Sequence, residues 1–281
     1  MTESSAPMPP HDVQTTLNFI EEQPDGSHLT PIYVGKPSSY IRPTTAIPVV
    51  FHDVSGREQY YTLDNNGFQF HHHTSQTKDL CEIDNDQIKR LYYPEIDKLI
   101  KDVTGASRTY VFDHTIHRAA RDFQGSSPQA RGPIQRVHID QTDAAAKKRV
   151  EYYLGDEASE LLKYRYQIIN VWRPLKPILR DPLAVADAST VSDDDLVPIK
   201  VIYPDKVGET CLVKPNPRIR WYYRDRQTPD MVTLFKCFES KTDGRARRVP
   251  HSAFAIPGTE EEEARESIEV RALVFYSTNE E

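Results

Sequence analysis

Hydrophobic and polar residues alternate along many short stretches of the chain, and this alternation predicts β-strands. The longest such stretch covers residues 265–276. Its apolar side chains should share one face of a strand and its polar side chains the other, since successive residues of a strand point to opposite faces. Shorter stretches of the same kind, separated by turn residues, predict strands over residues 48–52, 108–112, 166–171, 183–186, 200–203, 209–213, 220–223 and 232–238. The chain is therefore predicted to be mainly β.

Helical spacing of apolar residues marks two further regions. Residues 84–101 fit a helix, although Pro94 interrupts the pattern and could begin a second helix. Residues 142–155 predict another helix, with Thr142 or Asp143 as its N-cap and a run of alanines as strong helix formers. Both regions flank predicted strands, which indicates a β core with helices added to it.

A tight turn is predicted near residue 66. Residues 60–63 and 68–70 alternate in the manner of strands, and the Asn66-Gly67 dipeptide between them favours a two-residue hairpin turn. The two stretches are therefore expected to pair with each other. Three consecutive histidines follow at residues 71–73. Because neighbouring side chains point apart, these histidines are expected to be solvated or hydrogen-bonded rather than to bind one ion.

A candidate metal site begins with His138 and Asp140, which follow the turn at Gly132-Pro133. In an extended segment these two side chains project from one face, and Ile139 points to the other. One imidazole and one carboxylate on one face are two of the three ligands of a 2-His-1-carboxylate facial triad, which binds Fe(II). The alternative for this short motif is an ordinary surface or hydrogen-bonded histidine.

The C-terminal part of the chain supplies the third candidate ligand, His251. The strand at residues 265–276 follows it, with Arg265, Ser267, Glu269 and Arg271 on its polar face. That face either contacts water or lines a cavity and meets an anionic ligand, for which an arginine is the natural partner. A His-x-Asp pair, a distant histidine and a strand-borne arginine occur in this order in Fe(II)/2-oxoglutarate oxygenases.

The chain resembles a fungal oxygenase family that includes gibberellin desaturase-like and aspergillic-acid hydroxylase-like proteins, with relatives near the bacterial cephalosporin methoxylation system. The matching segments run nearly from end to end of the chain, at residues 92–95, 111–115, 136–142, 170–175, 181–184, 221–223, 234–236, 250–254 and 265–271.

The resemblance implies a double-stranded β-helix, the jelly-roll or cupin-like barrel, with flanking helices. The fold class is thus expected to be mainly β with α. Residues 1–14 are expected to form a mobile N-terminal tail. Residues 15–281 are expected to form a single oxygenase domain, with a jelly-roll core at about residues 106–277.

The resemblance also implies the cofactors Fe(II), 2-oxoglutarate and O2. His138, Asp140 and His251 would be the metal ligands. The distal carboxylate of 2-oxoglutarate needs a cation, and Arg265 with Ser267 has the Arg-x-Ser spacing used in many such enzymes. Arg271 is the second candidate for this carboxylate. The alternative for either arginine is an ion pair with Glu269, which shares the polar face of the predicted strand.

Residues near the middle of the chain are candidates for contacts with ligands. Asn170 could reach the co-substrate, and Arg173, Trp172 and Tyr110 are candidates for the substrate side. Asn170 and Trp172 would share a face of the strand over residues 166–171 and its extension. A tryptophan such as Trp172 is most often a wall of the core, which is the alternative to a substrate contact.

The implied activity is hydroxylation, desaturation or oxidative ring closure of a small specialised metabolite or an amino-acid-derived substrate, with conversion of 2-oxoglutarate to succinate. Two alternatives remain open at this stage. One is an Fe(II) oxygenase that does not use 2-oxoglutarate, and the other is a metal-binding jelly-roll protein without catalytic activity.

Charge, hydropathy and cysteine content indicate which partners and which cellular compartment to expect. The formal net charge is −7 and no long basic stripe occurs, which argues against nucleic acid as a partner. No apolar run is long enough for a membrane helix, and residues 1–5 do not resemble a secretory signal. The three cysteines, Cys81, Cys211 and Cys237, fit reduced cytoplasmic thiols. A small-molecule substrate is expected, and the chain could be a monomer or a homodimer.

Overall fold

The computed structural model describes residues 10–21, 29–80, 82–117 and 130–277. Residues 1–9 of the expected tail, Cys81 and residues 118–129 lie outside this part. Fifteen strands occur in the described part of the chain: β1 (Val13–Ile20), β2 (Ile32–Tyr33), β3 (Thr44–Asp53), β4 (Phe68–His72), β5 (Arg108–His117), β6 (Ala130–Arg131), β7 (His138–Ile139), β8 (Tyr166–Pro174), β9 (Leu183–Ala186), β10 (Leu196–Ile202), β11 (Val207–Val213), β12 (Trp221–Tyr223), β13 (Met231–Glu239), β14 (His251–Ala253) and β15 (Ser267–Phe275).

The helices are short and lie between the strands. Four α-helices occur in the described ranges: α1 (Asn85–Gln87), α2 (Tyr93–Thr104), α3 (Asp143–Leu154) and α4 (Ala158–Leu161). A π-helical turn, Ile88–Tyr92, joins α1 to α2, and single 3-10 turns occur at Pro37–Tyr40, Glu58–Tyr60, Gly155–Glu157, Ala188–Thr190 and Asp193–Asp195.

Two large sheets face each other. One has six strands in the order β4-β13-β8-β15-β5-β6, and the other has nine in the order β1-β3-β12-β9-β14-β7-β11-β10-β2. Strands distant in sequence lie side by side in both sheets, as in a jelly roll. The predicted class, mainly β with added helices, is confirmed. The sheets also include β1, β3 and β4, which precede the expected core at residues 106–277.

The six-stranded sheet is buried on both faces. Toward the other sheet, Phe235, Trp172 and Phe275 join one apolar core with Val185 of β9. On its outer face, a second core packs against α2, whose buried side chains are Ile96, Leu99 and Ile100. The side chains of β15 therefore pack alternately into the two apolar cores. Near the start of the strand the inward-facing residues are polar instead, namely Ser267, Glu269 and Arg271.

Helices α2 and α3 have clear sequence signals. Pro94 lies in the first turn of α2, and Gly105 ends this helix with a left-handed φ of 72°. Thr142 caps α3 by accepting a hydrogen bond from the Ala145 amide at 3.0 Å. The predicted helix over residues 142–155 is therefore confirmed, and its N-cap comes two residues after Asp140.

The hairpin predicted around Asn66-Gly67 does not form. Residues 58–60 make a 3-10 turn, and β4 pairs with β13 instead. Gly67 has the positive φ that the turn requires, at 85°. A Cβ atom there would lie 2.5 Å from Cγ2 of Val249, so close packing also demands glycine. The turn was predicted correctly, but its partner strand was not.

The expectation that Arg173 lies on the substrate side is wrong. Trp172 and Arg173 are neighbours on β8, so they point to opposite faces, and Arg173 enters the layer beneath α2. Its guanidinium donates hydrogen bonds to the Tyr92 hydroxyl at 2.7 Å and to the carbonyl oxygens of His73 and Pro229 at 2.7 and 2.5 Å. Only 1% of the residue is exposed. Arg173 therefore joins α2 to the sheet.

We expect Arg173→Met to lower the free energy of unfolding by about 3–5 kcal/mol, the usual cost of breaking a buried ionic network. The change leaves Glu95, 3.7 Å away, without its cation, and it leaves two carbonyl oxygens without donors. Urea denaturation measures the loss. Arg224→Met, which breaks the half-exposed pair with Glu58, is the control and should cost much less. If Arg173→Met kept the wild-type stability but changed substrate binding, Arg173 would have a role on the substrate side after all.

Candidate metal centre

His138 and His251 meet because their strands pair. β14 runs antiparallel to β7, and His251 lies directly opposite His138 in that pairing. The two imidazole rings are 4.3 Å apart between centroids. Asp140 follows β7 and projects beside them, so residues 113 positions apart in the sequence share one site. The prediction that the His-x-Asp pair and the distal histidine lie together therefore agrees with the fold.

The three side chains could hold one metal ion. Their ligand atoms all lie within 4.8 Å of one another. Oδ1 of Asp140 is 3.6 Å from Nε2 of His138 and 3.9 Å from Nε2 of His251. No other group of three histidine, cysteine or acidic residues in the described ranges meets this criterion. Two imidazoles and one carboxylate are the donor set of non-haem Fe(II) sites.

Backbone carbonyls fix the orientation of both imidazoles. Nδ1 of His138 lies 2.8 Å from the carbonyl oxygen of Arg136, and Nδ1 of His251 lies 3.1 Å from that of Val249. Because a carbonyl can only accept, each Nδ1 carries the proton, and each Nε2 presents a lone pair toward the site. The Phe235 ring packs against His251 at 4.6 Å between centroids and limits its rotation.

The protonation states also suit metal binding. Burial, together with the neighbouring imidazole, lowers the pKa of His138 to about 4. Burial likewise lowers the pKa of His251. Burial opposes ionisation of Asp140, but the Arg271 guanidinium, its hydrogen bond and the two neighbouring imidazoles together outweigh it and hold the pKa of this carboxyl far below its usual range. At neutral pH the group therefore presents two neutral imidazoles and one carboxylate.

Asp140 divides its two oxygens between the site and the protein. Oδ1 faces the two imidazoles, whereas Oδ2 accepts hydrogen bonds from Nε of Arg271 at 2.7 Å and Nδ2 of Asn170 at 2.8 Å. Arg271 lies on β15 and Asn170 on β8, so both donors come from the opposite sheet. Arg271 and Asn170, two of the expected co-substrate residues, are thus placed on the candidate metal ligand.

Arg265 and Ser267 occupy the inner face of the sheet with unused hydrogen-bonding capacity. Nη1 of Arg265 donates to the carbonyl oxygen of Asp181 at 2.9 Å, and its guanidinium lies 5.5 Å from the Trp172 ring centroid. Nε of Arg265 and the Ser267 hydroxyl are buried and have no hydrogen-bond partner among the described residues. Burial lowers the pKa of Arg265 to about 10, which keeps it charged at neutral pH.

The backbone at Asp181 contributes to this arrangement. Asp181 adopts a left-handed φ of 51°, which is uncommon for a residue with a side chain. This conformation accompanies the direct contact of its carbonyl oxygen with Arg265.

The remaining substrate-side candidates lie apart from one another. Trp172 is 1% exposed and faces inward, and its indole N–H has no partner among the residues that the structure describes. Tyr110 is 37% exposed and packs against Tyr153 of α3. The roles of Trp172 and Tyr110 in substrate binding therefore stay predictions.

Sequence reasoning understated Glu269. This residue is only 4% exposed, and its Oε1 accepts hydrogen bonds from Arg271 at 2.6 Å and from Asn170 at 3.2 Å. Burial raises its pKa to about 7, although Arg271 opposes the shift. The signal was its place between two arginines on the polar face of β15. From the sequence alone, Glu269 is expected only to form an ion pair with one of these arginines.

The comparisons with known proteins agree with this geometry. A family model described as an oxidoreductase/YMDC permease-like domain matches residues 17–275. A hydroxylase/desaturase, efuI of Hormonema carpetanum, is 39% identical over 289 residues, which cover 95% of this chain and 96% of the relative. An alpha-ketoglutarate-dependent dioxygenase, phiK of a fungal species, is 37% identical over 226 residues, 78% of this chain and 81% of the relative.

A solved structure shares the fold. The iron and alpha-ketoglutarate-dependent endoperoxidase NvfI superposes with a TM-score of 0.84 at 27% identity, over 94% of this chain and 97% of that one. The double-stranded β-helix expected from the sequence is thereby confirmed.

Fold, site and relatives together define an Fe(II)/2-oxoglutarate-dependent dioxygenase, with Fe(II), 2-oxoglutarate and O2 as cofactors and co-substrates. The chain belongs to the oxidoreductase family whose model spans residues 17–275, alongside fungal hydroxylases/desaturases and dioxygenases. These relatives favour the 2-oxoglutarate-dependent activity over the alternatives of a different oxygenase or a non-catalytic protein. No helix in the described ranges is long and apolar enough to cross a membrane.

We expect His138→Ala, Asp140→Ala and His251→Ala each to abolish tight binding of Mn(II), a redox-stable substitute for Fe(II), because each removes one of three ligands. Electron paramagnetic resonance of free Mn(II) measures the dissociation constant. His114→Gln is the matched control, since His114 is also buried but contacts Tyr93 and Asn85 instead. Wild-type affinity in any of the three alanine variants would contradict the ligand assignment.

Proposed function

We propose that His138, Asp140 and His251 hold Fe(II) and that Arg265 with Ser267 binds the distal carboxylate of 2-oxoglutarate. The observation that carries the co-substrate assignment is the pair of buried polar atoms, Nε of Arg265 and Oγ of Ser267, without protein partners in the described ranges. Most buried polar groups in proteins are paired, so two unused donors two residues apart, one of them on a buried cation, favour an absent anionic ligand.

Arg265 is favoured over Arg271 because Arg271 is already occupied. All three nitrogens of its guanidinium contact protein oxygens: Nε binds Asp140, Nη1 binds Thr115 and Asp113, and Nη2 binds Glu269. Arg265 has one such contact, to a neutral carbonyl. A carboxylate that approached Arg271 would have to compete with the three carboxylates already paired with it.

When bound, Fe(II) and 2-oxoglutarate supply the oxidising chemistry, in which O2 is consumed, 2-oxoglutarate loses CO2 to give succinate, and a substrate C–H bond is oxidised. The protein side chains orient the metal ligands and shield the site from water. The Nδ1 contacts fix the two imidazoles, and Arg271 with Asn170 holds Oδ2 of Asp140 by two hydrogen bonds, which would leave Oδ1 for the metal. Apolar side chains such as Phe235 and Trp172 exclude water from the inner layer.

We further propose that the substrate is a small specialised metabolite or an amino-acid-derived compound, and that the outcome is hydroxylation, desaturation or oxidative ring closure. Three relatives support this breadth. One bears the description hydroxylase/desaturase, another is an aspirochlorine biosynthesis protein of Aspergillus oryzae, and the solved neighbour is an endoperoxidase. Because one iron centre serves all these outcomes, the side chains that place the substrate decide among them.

We also propose that the enzyme works in the cytoplasm without a nucleic-acid partner. Cys211 and Cys237 are both buried free thiols, which suits a reducing compartment. The net charge of −7 disfavours a polyanionic partner.

Succinate formation tests the proposed activity. Enzyme supplied with Fe(II), 2-oxoglutarate and air should form succinate, slowly without substrate and faster when a true substrate is added. An anaerobic sample is the control and should form none. Bound iron without any succinate would favour an oxygenase that uses another reductant.

We expect Arg265→Gln to raise KM for 2-oxoglutarate about 10- to 100-fold, since a charge-assisted hydrogen bond contributes about 1.5–3 kcal/mol. Ser267→Ala should have a smaller effect in the same direction. Steady-state kinetics of succinate formation measure both. Arg224→Gln, which lies in an ion pair with Glu58, is the control and should keep the wild-type KM. A selective rise in KM for Arg271→Gln, with Arg265→Gln unaffected, would reverse the assignment.

A further inference from the structure

Glu269 lies in the site without being one of the three candidate ligands. In the register of the six-stranded sheet it stands opposite Trp172 of β8 and Thr115 of β5, on the inner face. A carboxylate that is 4% exposed is costly to bury unless it is paired and serves a purpose. Its role needs an explanation that the proposed function does not give.

The contacts of Glu269 form a closed ring with the candidate metal ligand. Its Oε1 accepts hydrogen bonds from Nη2 of Arg271 and Nδ2 of Asn170. The same two residues donate to Oδ2 of Asp140, at 2.7 and 2.8 Å. One cation and one amide therefore bridge two carboxylates, and the position of each donor is fixed from both sides.

Arg271 has enough other partners to balance its charge and fill its hydrogen bonds without Glu269. Asp140 and Asp113 already supply two carboxylates, and the Thr115 hydroxyl accepts a further hydrogen bond at 3.0 Å. Asn170 likewise has Asp140 as an acceptor for its amide. The shared contact with Glu269 instead removes the freedom of both donors to turn away from Oδ2 of Asp140.

We propose that Glu269 is a positioning residue that fixes Arg271 and Asn170, so that Asp140 keeps Oδ2 on the protein and offers only Oδ1 to the metal. A carboxylate that offered both oxygens would take up a coordination position that the co-substrate or O2 needs. The inference rests on the proposed metal ligands.

The test compares Mn(II) affinity in Glu269→Gln and wild-type protein. Loss of the carboxylate should weaken Mn(II) binding about 10- to 100-fold, as for other residues that orient a metal ligand. The absorption spectrum of the Co(II)-loaded protein reports coordination number and should change as well. Glu95→Gln is the matched control: it removes a buried carboxylate beside Arg173, on the other face of the same sheet. This control should lower the melting temperature and leave Mn(II) affinity unchanged.

A folded Glu269→Gln variant with wild-type Mn(II) affinity and an unchanged Co(II) spectrum would overturn the proposal. If this variant does not fold, Asn170→Ser removes one bridge while Glu269 remains. It should weaken Mn(II) binding in the same direction, and unchanged affinity there would overturn the proposal too. Failure of the metal site itself would look different, because wild-type protein and His251→Ala would then bind Mn(II) alike.

Discussion

The ion pair between Arg271 and Asp140 is the contact on which the site depends, since it crosses the gap between the two sheets. Arg271 comes from the six-stranded sheet, and Asp140 follows β7 of the nine-stranded sheet. It orients the carboxylate, keeps it ionised in a buried setting and ties the two layers together where His138 and His251 meet. Removing the cation would leave a buried anion uncompensated, which the fold could tolerate only poorly.

Strand β15 shows how one sequence pattern serves stability and chemistry together. Its apolar residues Ile268 and Val270 complete the core beneath α2, while Ser267, Glu269 and Arg271 face the site. The strand lies between β8 and β5, so its polar side chains are held by neighbours on both sides. A site on a central strand is rigid, and this suits an enzyme that must direct a reactive centre to one C–H bond.

Much of this arrangement follows from local sequence rules, and the remainder depends on long-range pairing. The period of two along β15 and the spacing of His138 and Asp140 indicated their shared faces, and the cap at Thr142 predicted where α3 begins. The hairpin predicted at Gly67 does not form, because a turn motif does not determine which strand the next strand pairs with. The substrate-side prediction for Arg173 was also wrong. Neighbouring residues of a strand point to opposite faces, so Arg173 and Trp172 could not both face the substrate. Only the paired sheets show that Asn170 lies between Asp140 and Glu269 and donates to both.

The assigned iron and 2-oxoglutarate site is tested most directly by anaerobic visible spectroscopy of the protein with Fe(II) and then 2-oxoglutarate. We expect a weak charge-transfer band that requires both components, is absent in His251→Ala and needs more 2-oxoglutarate in Arg265→Gln. Iron binding without this band would contradict the use of 2-oxoglutarate at the site. A band that persists in His251→Ala would contradict the assignment of the metal ligands.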